Sequence, residues 1–268
     1  MTTLQTRATL DLELDAGWLT VWFNQPDLRN PLTAGRVSDL SGLCAELQER
    51  SDIRGVVVRG RGGVFCAGGD LKSFRQVFQG GADAAAVIEA SIAGRRMFDA
   101  VAALPQLTVV AIEGAAMAGG FGLACIGDIV LAERGARFAL TETTIGLVPA
   151  QIAPYVLQRL DLRVGRRLML LAESVDAETA LRIGLVDTVV DGAAALDAAL
   201  AALRKQANRC APGAIAETKR LVRALPRMTG EQQMQEAARC FAQRMLSDEG
   251  REGIASFFEK RKPNWTGA

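Results

Sequence analysis

The stretch LTVVAIEGAAMAGGFG, residues 107–122, settles the architecture. Its first six residues form an uninterrupted apolar run, the pattern of a buried strand, and a glycine-rich segment from Gly114 to Gly122 follows at once. The same order occurs upstream, where RGVVVR at residues 54–59 runs into GRGGVFCAGGD at residues 60–70. Further out, ATLDLEL (8–14) and WLTVWF (18–23) alternate around Asp15-Ala16-Gly17 and predict a hairpin. Thr33 is placed to cap a helix running to about Arg50, with Val37, Leu40, Leu43, Cys44 and Leu47 on one face. Residues 82–104 read as a helix stopped before Pro105, and 128–132, 137–140 and 185–190 as short strands. Residues 193–262 are almost wholly helical in pattern. The chain is therefore expected to form an α/β core over residues 1–192 and a helical C-terminal region over residues 193–268.

The chain has 268 residues, 49% of them apolar and 23% charged, enough to bury a sizeable core without disulfides or metal. Lys plus Arg number 31 against 30 Asp plus Glu, a net charge of +1, which argues against nucleic acid or a membrane surface as partner. There is no histidine, so every Ser-His, Cys-His or His-metal mechanism is excluded, and no metal site is expected. Acid–base chemistry falls to Asp, Glu, Lys, Cys or the single tyrosine, Tyr155. The five cysteines are scattered, as expected of small apolar residues in a reducing compartment. The first residues alternate like a strand and predict no signal peptide, and no apolar run reaches membrane-spanning length. A cytoplasmic protein is expected.

Both glycine segments follow apolar strands, where ligands bind in open α/β sheets. Neither carries a dinucleotide or Gly-Lys-Ser/Thr phosphate signature. Each could simply make a tight turn. Taken together, two side chain-free segments could aim two backbone N–H groups at one oxygen and so form an oxyanion hole.

Several segments, in order, resemble the crotonase (enoyl-CoA hydratase/isomerase) superfamily. NQPDLRNPL (24–32) is similar to its opening motif, GVFCAGGDLK (63–72) to its acyl-CoA-binding loop and AIEGAAMAGGFG (111–122) to its second glycine loop. FALTETTIGLVP (138–149) resembles the segment with the catalytic glutamate, and residues 180–190 a later Gly-Leu-Val segment. The resemblance implies a spiral of ββα units, assembly as a homotrimer or dimer of trimers, and a coenzyme A thioester as substrate, with no separate cofactor. It implies that the N–H groups of Gly69 and Gly119 hold the thioester oxygen. Ala67, Asp70 and Leu71 would border the adenine, Arg29 the coenzyme phosphates, and Phe257 and Lys260 of the last helix the coenzyme as well.

Many hydratases of this superfamily use two glutamates. Glu142 matches the second; the first would fall at Gly122, where no carboxylate stands. A single carboxylate can pass a proton between water and the α carbon, or between the α and γ carbons, so hydration and double-bond isomerisation both remain open. Gly122 is expected to remove bulk and charge from the acyl site, which suits a branched or carboxylate-bearing chain. GLVPAQIAPYV (146–156) resembles the glutaconyl-CoA-type hydratases of leucine and acyclic terpene breakdown. Tyr155 could line the acyl site or fill a core gap. Cys66 is expected to pack rather than react, and Asp70 and Asp128 to serve turns. A non-catalytic acyl-CoA-binding relative is the alternative from a different class.

Overall fold

The computed structural model describes residues 4–70, 72, 75, 80, 81 and 83–267. A six-stranded sheet forms the centre. β1 (Leu10–Asp15) and β2 (Trp18–Phe23) make the antiparallel hairpin; β3 (Gly55–Gly60), β4 (Leu107–Ile112), β6 (Ile129–Glu133) and β9 (Thr188–Val190) then add in parallel, in the order β1-β2-β3-β4-β6-β9. A smaller sheet holds β5 (Ala115–Met117), β7 (Arg137–Ala139) and β8 (Val175–Asp176). The hairpin and the buried strands form where the sequence predicts them; the last strand is shorter, because Leu185 and Val186 turn back to the Ala180 carbonyl before Asp187 N reaches Val130 O.

The register explains the β-branched runs. Val21, Val58, Val110 and Val130 align across four strands and enter one core cluster. The alternate residues Val57, Val109, Ala111 and Leu131 enter a second cluster on the other face. That second face is covered by a helix spanning Ala193–Ala207, through Leu196 and Leu200. The first face carries α1 (Ala34–Leu47), capped by Thr33 Oγ1 accepting from Arg36 N at 3.1 Å, and α2 (Ala84–Ala102). Behind them lie α3 (Gly119–Ile126), α4 (Ala153–Arg159), α5 (Leu162–Leu171) and α6 (Ala177–Arg182). With the sheet-covering helix numbered α7, the chain ends in α8 (Pro212–Ala224), α9 (Gly230–Met245) and α10 (Asp248–Phe258). Among the described residues no helix is long and apolar enough to cross a membrane.

Buried cations fasten the C-terminal helices to the core. Lys219 of α8 reaches Asp128 Oδ2 and the Gln106 carbonyl, both at 2.5 Å, and Thr108 Oγ1 at 3.3 Å. Burial pushes the Lys219 amine below its ordinary pKa, and Asp128 opposes that shift. Arg54 donates to the carbonyls of Cys210 (2.9 Å) and Trp265, and Trp18 Nε1 to Asn208 Oδ1 at 3.1 Å. Asp128 itself accepts from Thr108 N at 2.7 Å, so it organises the turn into β6 as the sequence reading expects.

Replacing Lys219 by Met leaves Asp128 without its cation and the Gln106 carbonyl without that donor. The expected loss is about 3 kcal/mol, at the low end for breaking a buried pair because Asp128 keeps some solvent. Thermal unfolding should show a Tm lower by about 10 °C; an unchanged Tm would mean that the α8 contact is not a tie.

Candidate active site

Three chain segments lie side by side and leave the small sheet at one edge. Ala116 pairs in parallel with Cys66 on one side and with Phe138 on the other. Cys66 N donates to Ala115 O and Met117 N to Cys66 O, each at 2.9 Å, and Ala118 N donates to Ala139 O at 2.8 Å. Neighbouring parallel strands are about 4.8 Å apart. Residues 67–70, 118–120 and 140–142 therefore emerge together, past the carboxyl ends of their strands.

Peptide planarity decides where the N–H groups point. The Gly68 carbonyl accepts from Leu32 N at 2.8 Å; the Gly69 N–H belongs to the same trans peptide and faces the opposite way. The Ala118 carbonyl accepts from Gly122 N at 3.0 Å, so the Gly119 N–H points out of the start of α3. No side chain caps this helix, and its first donors have no intrahelical partner. Among the described residues the N–H groups of Gly69 and Gly119 make no hydrogen bond.

The backbone is held hard in this geometry. Gly68 has φ +96°, and a Cβ there would lie 2.8 Å from Ala118 Cβ. Ala118 adopts φ 47°, ψ −114°, a region costly for a residue with a side chain. Hydrogen bonds on both sides of that residue, from Ala118 N to Ala139 O and from Gly122 N to Ala118 O, overdetermine it. Such stored strain points to a functional constraint.

Glu142 opens a single 3-10 turn, Glu142–Ile145, three residues after Ala139 leaves the sheet. It is half-buried, and its Oε2 is buried without a hydrogen-bond partner. Desolvation raises its pKa above the ordinary 4.5, partly offset by its own backbone N–H. Cys66 is fully buried, and burial pushes its thiol up to about 11, so it packs rather than reacts.

The remaining sequence-predicted residues are placed as follows. Arg29 is exposed, and its carbonyl accepts from Ala67 N at 3.0 Å, which sets the two side by side. Asp70 Oδ1 accepts from Lys72 N at 3.1 Å, a turn contact. Leu71 lies outside the described residues. Tyr155 is in the core: 4% exposed, its ring tilted against Phe98 with centroids 5.9 Å apart, its hydroxyl donating to Asp99 Oδ1, while Arg95 Nε holds Asp99 Oδ2 at 3.0 Å. Phe257 and Lys260 lie at the exposed end of α10, which packs against α9.

Gly122 departs from expectation. A Cβ there would meet Ile152 Cγ2 at 2.5 Å and Phe98 Cε1 at 3.2 Å, so the position opens no room: Ile152 has filled it. A Cβ on Gly119 would likewise meet Leu32 Cδ1 at 2.6 Å and Phe98 Cζ at 3.8 Å. The sequence reading did not single out Leu32, Phe98 or Ile152 for the site, because apolar residues in helical or loop context carry no signal of what they face.

A raised Glu142 pKa has a stability consequence of fixed sign. The folded state holds the proton to higher pH than the unfolded chain does. Its contribution is fully present below pH 4.5 and is lost as pH rises through the folded value. Glu142→Gln should therefore have a higher Tm than the parent at neutral pH, with the difference vanishing toward pH 4.5. Melting curves across that window check it, and an equal Tm at pH 7 would count against a desolvated carboxylate.

Comparison with known proteins agrees with this geometry. Residues 13–268 match the enoyl-CoA hydratase/isomerase family. A crystal structure of an enoyl-CoA hydratase/isomerase from Marinobacter aquaeolei is 36% identical and covers 96% of this chain and 99% of its own, with a TM-score of 0.92. AtuE of Pseudomonas aeruginosa is 40% identical over the same shares, with a TM-score of 0.93. The human enoyl-CoA hydratase domain-containing protein 2, mitochondrial, is 31% identical over 258 residues, 94% of this chain and 87% of that one. Since the match runs almost from end to end and takes in both glycine segments and the turn bearing Glu142, the chain belongs to the enoyl-CoA hydratase/isomerase family and has the crotonase fold.

Proposed function

We propose that the protein hydrates a 2-enoyl-CoA thioester, with Glu142 as its acid–base and the N–H groups of Gly69 and Gly119 as its oxyanion hole. The observation that carries this reading is the half-buried Glu142 carboxylate, with one oxygen unpartnered, on the sheet edge where the two free N–H groups emerge. Glu142 takes a proton from water as the water oxygen bonds to the β carbon. The electron pair of the double bond moves toward the thioester, and the resulting enolate oxygen is held by the two amides. Glu142 then returns a proton to the α carbon. The uncapped start of α3 adds the positive end of a helix dipole at the same oxygen.

The finer reading is a branched or glutaconyl-type acyl chain, supported by the missing second carboxylate; the apolar residues beside Gly122 favour the branch. The ends of the coenzyme would lie along Arg29, Ala67, Asp70 and Leu71, with Phe257 and Lys260 reaching coenzyme in the assembled protein. We take that assembly to be a trimer or dimer of trimers in the cytoplasm, the exposed Phe241, Met245, Leu246 and Phe258 packing between copies.

A lone carboxylate also favours a second reading, isomerisation, in which Glu142 takes the α proton of a 3-enoyl thioester and returns it to the γ carbon. Ultraviolet absorbance of conjugated thioesters separates the two. Loss of conjugation with water in the product, from crotonyl-CoA or a 3-methylglutaconyl-type thioester, marks a hydratase; gain of conjugation from a 3-enoyl-CoA marks an isomerase. Glu142→Gln should lower kcat by about 10²–10⁴-fold while leaving the Kd for coenzyme A within twofold. Retained turnover would show that another group is the acid–base.

A further inference from the structure

We propose that Ile152 determines which acyl chains the site accepts, by occupying the place of the missing second carboxylate and giving the β carbon an apolar wall. The inference deepens the reading above and rests on the thioester oxygen lying at the Gly119 N–H.

The geometry is local and specific. Gly119 and Gly122 stand on one face of α3, three residues or about 4.5 Å apart along the axis. The β carbon is three bonds from the thioester oxygen, so a chain held at the Gly119 N–H and turned back along this face of α3 brings its β carbon toward Gly122 and the side chains packed there. The two glycines share one neighbour: the Phe98 ring lies 3.8 Å from a Cβ on Gly119 and 3.2 Å from one on Gly122. Ile152 completes that side, with Cγ2 at 2.5 Å and Cβ at 3.0 Å from where a Cβ of residue 122 would stand. Its side chain is aliphatic, 4% exposed and part of the main core cluster, and its backbone carbonyl accepts from Tyr155 N and Val156 N.

No side chain at 122 can coexist with Ile152 in this rotamer, so the pair acts as a unit: glycine admits isoleucine, and isoleucine excludes a carboxylate. Water cannot be held between two acids here. The wall instead rewards a methyl group on the β carbon, and burying one methyl is a preference of about fourfold.

Binding of saturated thioesters tests this without requiring turnover. Calorimetry with isovaleryl-CoA and butyryl-CoA should give the parent protein about a fourfold preference for the branched chain. Ile152→Val keeps Cγ2 and should keep the preference within twofold. Ile152→Ala removes Cγ2 and should bring the ratio near one. If that variant does not fold, Ile152→Leu removes Cγ2 at constant volume and should give the same loss. A ratio unchanged in Ile152→Ala or Ile152→Leu, or no preference in the parent, overturns the proposal. The steric half is read separately. Gly122→Ala should lower Tm in the parent and be tolerated beside Ile152→Ala, and additive effects would overturn the exchange. Binding of neither thioester by the parent overturns the thioester reading itself, and this proposal with it; a turnover-competent Glu142→Gln alongside a responsive Ile152 would overturn only the acid–base assignment.

Discussion

The parallel pairing of Ala116 with Cys66 on one side and Phe138 on the other is the constraint on which the site depends. Hydrogen-bonded strands are held at fixed spacing, so what leaves one strand is automatically a neighbour of what leaves the next. Two glycine turns and a glutamate far apart in sequence are thereby delivered to one edge. Peptide planarity then does the aiming. Each of the two free N–H groups, at Gly69 and Gly119, is the reverse side of a carbonyl already committed to a structural bond, at Gly68 and at Ala118. Donors fixed in this way need no reorganisation when charge develops on a substrate oxygen.

The strain at Ala118 fits the same account. The chain must turn from β5 into α3 within one residue, and it does so with an alanine at positive φ. A softer turn would leave the first N–H groups of α3 free to find water or a side chain. The rigid one leaves Gly119 without a protein partner and exposes the helix dipole. Gly120 shows how tightly the segments are drawn together, since a Cβ there would lie 2.5 Å from Cys66 O.

Much of this was legible in the sequence because local physics determined it. The hairpin has a turn and alternation, α1 has Thr33 as its cap, and the central strands are β-branched runs wanted on both faces. The glycine segments announced a turn after each strand. What the sequence did not show was made by contacts between distant segments. β5 and β8 are only three and two residues long and exist through pairing with β7. Helix α3 is apolar on every side and seven of its eight residues are buried, so it has no amphipathic period to read. Tyr155 left two readings open that only its contact with Asp99 separates in space.

Gly122 is the instructive case, because absence of a side chain suggested space and the structure supplies a neighbour instead. Like charge nearby raises a carboxyl pKa, as does loss of water. At Glu142 the raising cause is desolvation. Position 122 carries no second carboxylate, and the aliphatic side chain of Ile152 packs against α3 in its place, the surface we propose recognises the carbon skeleton.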